Sequence, residues 1–206
     1  MTGFAAHWEK NTNFAAAFDV WFLNLFPRSS PFVFNSGGYQ TLNFIPSLAT
    51  MSFGLLAGRL LRGAASLPRK LLVLVLAGCA GIALGLALDW AGLCPLVKRI
   101  WTPSWTLYSA GWVTLLLASF VAVVDGVGLK RWAYPLIVAG MNPLALYVLW
   151  QLSSGFIRKQ TQIHLGQEIF ATLGEVWMPL LERASVLLVL WLFVWWMHRR
   201  KIYLRL

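Results

Sequence analysis

LLVLVLAGCAGIALGLAL, residues 71–88, holds no Asp, Glu, Lys, Arg or His. As a helix rising about 1.5 Å per residue, it nearly covers the ~30 Å hydrocarbon layer of a bilayer. Residues 39–58, 100–124 and 132–157 are also free of charge and histidine. Residues 184–197 form a shorter apolar run, bounded by tryptophan on both sides once Trp177 is included. Only lipid suits this pattern, because a helix satisfies its own backbone and needs no water. The reading is an all-α polytopic transmembrane bundle of about five spans: 39–61, 70–90, 101–124, 132–152 and 177–197.

Composition agrees. Apolar residues make up 59% of the 206 positions and mean hydropathy is +0.67, whereas a soluble domain is nearer ~45–50% apolar. Little chain is left for a soluble domain, so residues 1–206 read as one membrane domain. Residues 1–38 form an outer interfacial helix and loop, and 198–206 a basic cytoplasmic tail. The net charge of +10 marks membrane-flanking loops and not a nucleic-acid partner. Cys79 and Cys94 give no disulfide framework, and Cys79 is expected to pack inside the second span as a small apolar residue.

Charge sets an expected orientation. Arg59, Arg62, Arg69, Lys70, Lys130, Arg131, Arg199, Arg200, Lys201 and Arg205 fall on one side of the five-span arrangement. Lys10, Arg28, Lys98, Arg99, Arg158, Lys159 and Arg183 fall on the other. The larger group is expected in the cytoplasm, with the C-terminus, which places the N-terminus outside. Met1 is followed by no signal-type segment. The region before the first span is therefore expected either to cross unaided or to follow further upstream segments. Asn-x-Ser/Thr sequons are absent, which favours a bacterial cytoplasmic membrane over a lysosomal one.

Residues 13–26 read as a helix lying at the interface, since Phe14, Phe18, Trp21, Phe22 and Leu25 recur at helical spacing. Pro27 ends it. Gly54-x-x-x-Gly58 and Gly81-x-x-x-Gly85 are expected to let the first two spans pack closely. The fourth span holds Pro135, Gly140, Asn142 and Pro143. Pro143 has no N–H for the Ala139 carbonyl, so a kink or opening is expected there. The segment 151–177 is expected to cap the outer face. Trp177 and Trp196 would lie ~29 Å apart on one helix, an aromatic belt at each interface. Glu182 and Arg183 are expected to form an interfacial pair.

Two groups could carry chemistry. Asn142 falls near the middle of the fourth span, and a buried amide needs partners in lipid. It reads either as an interhelical hydrogen bond or as a pocket amide holding a substrate. Lys98, Arg99, Trp101, Thr102 and Ser104 form a basic and aromatic cluster at the mouth of the third span. They read either as a headgroup anchor with a helix cap or as a site for an anionic group such as phosphate. His198 belongs to the basic tail, and His7 and His164 have no carboxylate or cysteine at useful spacing. No metal-ligand cluster, nucleophile elbow or phosphate-binding glycine loop is present in the sequence.

Three stretches in order resemble a known family. They are YQTLNFIPSLATMSFGLLAG from Tyr39 to Gly58, Pro95-x-x-Lys98-x-x-Trp101-Thr102-Pro-Ser104, and Gly140-Met141-Asn142-Pro-Leu-Ala-x-Tyr147-Val148. Together they resemble signature segments of the heparan-alpha-glucosaminide N-acetyltransferase-like family, over residues 10–200. The resemblance implies a polytopic membrane acyltransferase. Such enzymes take an acetyl group from acetyl-CoA and deliver it across the membrane to a sugar amine or hydroxyl.

Family members carry further spans before this region, with an Asp-x-Phe-Arg-Gly stretch and a His-Ala-x-Trp stretch holding the presumed catalytic histidine. Neither stretch occurs here. The resemblance therefore implies the C-terminal half of such an enzyme, partnered by the missing N-terminal half or by a second copy. Ala6-His7-Trp8 is in the wrong place, and His7 receives no catalytic role. Asn35-Ser36-Gly37-Gly38 stands where many relatives have Asp-Pro-Glu-Gly. The binding residues implied are Lys98, Arg99, Trp101, Thr102, Ser104, Asn142 and Asn43, with acetyl-CoA as donor, a sugar or polysaccharide as acceptor, and no metal. A transporter or flippase-like subunit, or a non-catalytic helix-packing module, are the other readings of the same spans.

Overall fold

The computed structural model describes residues 4–166, 168–172 and 174–204. It is all-helical, with no strand among them. The chain forms two compact units, Met1–Gly128 and Leu129–Leu206. Thr41–Arg62, Leu67–Trp90, Pro103–Gly126 and Met178–Arg199 are each long and apolar enough to cross a membrane, and a further bent pair passes the same test jointly. The protein is an integral membrane protein.

In the first unit, helix α1 (Phe14–Leu23) is followed by α2 (Phe44–Arg62), α3 (Leu67–Trp90) and α4 (Pro103–Val121), whose last turn widens over Ala122–Gly126. Helix α1 starts where Asn13 caps it, its Oδ1 accepting from Ala16 N at 2.9 Å. It stops short of the expected residue 26. Asn24 grips the following loop, accepting from Phe32 N at 2.7 Å and donating to Phe32 O at 2.9 Å. Its aromatic face points outward, with Phe14 and Trp21 exposed, while Phe18 and Phe22 stack at 5.4 Å. The face turned inward carries Ala16 and Asp19. Both Asp19 carboxylate oxygens accept from Thr41 N, at 3.1 Å.

Helices α3 and α4 form an antiparallel pair zipped by glycine. A Cβ on Gly111 would sit 2.7 Å from Gly78 O and 2.8 Å from Ile82 N. A Cβ on Gly81 would sit 2.9 Å from Leu107 O, and one on Gly85 2.8 Å from Ser104 O. Backbones approach this closely only where side chains are absent. The expected pairing of the first two spans is therefore corrected: the glycines of α3 face α4, and Gly54 and Gly58 of α2 have nothing within 4 Å. A small-residue stripe needs a small residue opposite it. Gly111 supplies one, whereas α2 presents Phe53, Leu56 and Leu60 and leaves a cavity of about 350 Å³ against α3 and α4. Cys79 is exposed on α3, not packed inside, and the buried cysteine is Cys94.

In the second unit, α5 (Tyr134–Met141) and α6 (Pro143–Leu165) are followed by the single turn α7 (Glu168–Ala171) and by α8 (Met178–Arg199). The expected break falls where the sequence places it. Helices α5 and α6 meet at a 72° bend, with Asn142 at φ −135° and ψ 53° between them. Pro143 then begins α6, where its missing N–H costs nothing. Helix α6 runs on past residue 152, the expected end of the fourth span, to Leu165. Much of the presumed capping segment is thus helical.

Helix α6 runs antiparallel to α8. Glu182, 6% exposed, accepts from Gln162 Nε2 at 2.7 Å and pairs with Arg158 Nη2 at 2.9 Å. The expected partner Arg183 is replaced by Arg158, since adjacent residues on a helix point to different faces. Removing one member of a buried pair strands the other. Glu182→Ala is expected to cost about 1–2 kcal/mol, below the buried-pair range because Arg158 is 59% exposed. Thermal unfolding in detergent across the Glu182→Ala, Arg158→Met and double variants checks it. A double variant no more stable than the sum of the singles would remove the coupling.

Candidate functional site

The sequence candidates of the first unit gather where α3 ends, α2 begins and α4 begins. Gly92, at φ 66°, turns the chain out of α3. The following loop is then tied down from both sides. Asp89 Oδ1 accepts from Leu96 N at 3.0 Å. Thr102 Oγ1 donates to Pro95 O at 2.7 Å and accepts from Val97 N at 3.2 Å and Trp105 N at 3.3 Å. The last of these caps α4. Ser104 Oγ reaches Pro95 O at 2.8 Å and Cys94 Sγ at 3.4 Å.

Thr102 and Ser104 are both 0% exposed. Their hydroxyls are spent on the loop, so they build the platform and have nothing left for a ligand. Trp101 sits at φ 52°, and its indole N–H is buried without a hydrogen-bond partner. That unpaired donor, with a left-handed backbone at a bulky residue, marks a strained corner. Three and two residues before it, at the tip of the platform, Lys98 and Arg99 are exposed and form no ion pair among the described residues. Asn43 Nδ2 donates to Arg99 O at 3.3 Å, tethering the tip to the start of α2.

No motif in the chain announces what lies beside this tip. A cavity of about 210 Å³ is lined by His7, Trp8, Asn13, Phe14, Gln40 and Ile100, among others. Asn13 and Gln40 are buried, and Gln40 Nε2 donates to Asn13 Oδ1 at 2.8 Å. Trp8 Nε1 donates to Leu93 O at 2.9 Å, which fixes the N-terminal turn to the end of α3. The available signal was the stripe Asn13, Ala16, Asp19 at three-residue spacing, the small and polar face opposite the aromatics. Ile100, directly after Arg99, is 6% exposed and forms part of this wall.

Asn142 belongs to the second unit. It is 0% exposed, donates from Nδ2 to Ile202 O at 3.0 Å and accepts at Oδ1 from Leu204 N at 3.0 Å. Both ends of the amide therefore hold the C-terminal tail. This is a structural bond to backbone beyond α8, at the level where that helix ends and not at its middle. Asn142 offers no free group to a substrate. Among the described residues, no group of three or more His, Cys, Asp or Glu could hold a metal.

Comparison with protein-family models, curated proteins and solved structures finds no match.

Proposed function

We propose that this chain is the C-terminal, ligand-binding portion of a membrane acyltransferase that moves an acetyl group from acetyl-CoA to a sugar amine or hydroxyl. The sequence resemblance motivates the reading. The observation that supports it is the platform holding Lys98 and Arg99 exposed and without an ion pair among the described residues, tethered to Asn43, with a cavity starting at Ile100. Two neighbouring exposed cations suit the phosphates of a CoA-type donor. The cavity beside them has aromatic walls and amides, which suit a small polar group. Lys98, Arg99 and Asn43 carry the binding role in this reading. Trp101, Thr102 and Ser104 shape the loop, and no residue of this chain is assigned the proton transfer.

Acetyl-CoA binding to the purified chain, measured by calorimetry in detergent, tests it. The Lys98→Ala, Arg99→Ala double variant is expected to bind at least about 10-fold more weakly, as loss of charge-assisted hydrogen bonds implies. Unchanged affinity in the double variant would end the assignment of the donor to this loop.

The 72° break between α5 and α6 favours a second reading, a transporter subunit, because broken helices build transport sites. Substrate uptake into vesicles that depends on a proton or sodium gradient would select it. A gradient-independent acetyl transfer would reject it.

A further inference from the structure

The 72° elbow of the second unit borders an open groove of about 510 Å³, walled by Leu136 and Ala139 of α5, Leu146 of α6, and Ala184, Leu188 and Trp191 of α8, with almost no polar surface. From Trp191 to Ala184 the groove follows α8 for two turns, about 10 Å. The start of α5 closes on the last turns of α8. Trp191 Nε1 donates to Pro135 O at 2.9 Å, and the Tyr134 ring meets His198 at 6.2 Å.

That end of the unit is strongly basic. Lys130 and Arg131 lead into α5, and Arg199, Arg200 and Lys201 close α8. All five are exposed, and none is ion-paired among the described residues. Arg199 lies over the Trp195 ring at 5.5 Å. The side-chain carboxylates of this unit, Glu168, Glu175 and Glu182, all come before or at the start of α8. Glu182 pairs near the far end of α6, so charge is segregated along the helix pair.

We propose that this elbow holds one acidic phospholipid, with an acyl chain along the groove and its phosphate at Lys130 and Arg131. The groove is apolar from Leu136 to Ala184, which suits a hydrocarbon chain. Arg131 and Lys130 lie four and five residues before Pro135, which lines one end of that groove, where a headgroup phosphate belongs. A second protein helix would fill the groove but would leave those cations unmatched. The proposal stands apart from the acyltransferase reading, because it uses only residues of the second unit.

Native mass spectrometry of the intact chain in detergent tests it, with phosphatidylglycerol and phosphatidylcholine of identical acyl chains supplied in equal amounts. The expected result is one retained phosphatidylglycerol per chain in preference to phosphatidylcholine. Lys130→Gln with Arg131→Gln should lower that preference by about fivefold per cation. Ala184→Phe, at an exposed position, should lower retention of either lipid while the helical circular dichroism stays unchanged. Equal retention of the two lipids by the unaltered chain would overturn the proposal. So would a preference that survives the double variant, or a filled groove that keeps its lipid.

Discussion

Gly111→Val will drive α3 and α4 apart and cost about 3 kcal/mol, the upper range for over-packing a close contact. The new side chain would meet Gly78 O at 2.7 Å and Ile82 N at 2.8 Å. These are backbone atoms of a helix, which cannot swing aside as a side-chain tip can. Relief requires one whole helix to move, and α3 cannot move alone. The loop after it is fixed to α4 through Thr102, Ser104 and Pro95. Gly54→Val supplies the control. Its Cβ has nothing within 4 Å, and the exchange removes only the helix penalty of glycine, so a change within about 0.5 kcal/mol is expected. Thermal unfolding of both variants in one detergent separates the cases. Equal losses at the two glycines would mean that the α3–α4 pairing is wrong.

Asn142→Ala will release the C-terminal tail and cost about 3 kcal/mol. The side chain is fully buried and makes two hydrogen bonds, to Ile202 O and from Leu204 N. Deleting it leaves the Ile202 carbonyl and the Leu204 N–H, both only part-buried, without their partner, each worth toward the lower half of the about 1–3 kcal/mol range for buried groups. Among the described residues the tail is otherwise held by the bond from Ile202 N to Met197 O at 2.9 Å and the 3.4 Å contact of the Tyr203 hydroxyl with His198 Nδ1. Asn142→Asp keeps an acceptor for Leu204 N but sets a carboxylate at a fully buried position facing Ile202 O, so at neutral pH it should be no more stable than alanine. Hydrogen exchange at Ile202 and Leu204 is the direct readout. Fast exchange of Leu204 in the alanine variant, with acetyl-CoA affinity unchanged, identifies Asn142 as a latch. Protected exchange with lost affinity would instead return it to the pocket.

Asn142 and Thr102 show how far the sequence carried. Asn142 was legible as a special residue, because an amide beside proline in an apolar run needs partners. Its partners were not legible, because they lie about 60 positions away in a tail with no motif of its own. Thr102 was legible as a helix cap, but a hydroxyl's remaining bonds depend on the fold. Only the structure showed them committed to Pro95 and Val97. The cavity of His7, Trp8, Asn13 and Gln40 draws on three separate segments, which no spacing rule connects.

By itself the sequence determined that this chain lives in a membrane, that helices α2, α3, α4 and α8 can cross it, and that the helix breaks at Pro143. Each of these follows from local properties: the length of an apolar run, the self-satisfied helix backbone, and the missing N–H of proline. The tertiary structure alone decided that Gly81 and Gly85 meet α4, that Glu182 chooses Arg158 over its neighbour Arg183, and that Asn142 holds the tail. Partner choice depends on which surface lies opposite across the bundle, and that surface comes from residues far away in the chain.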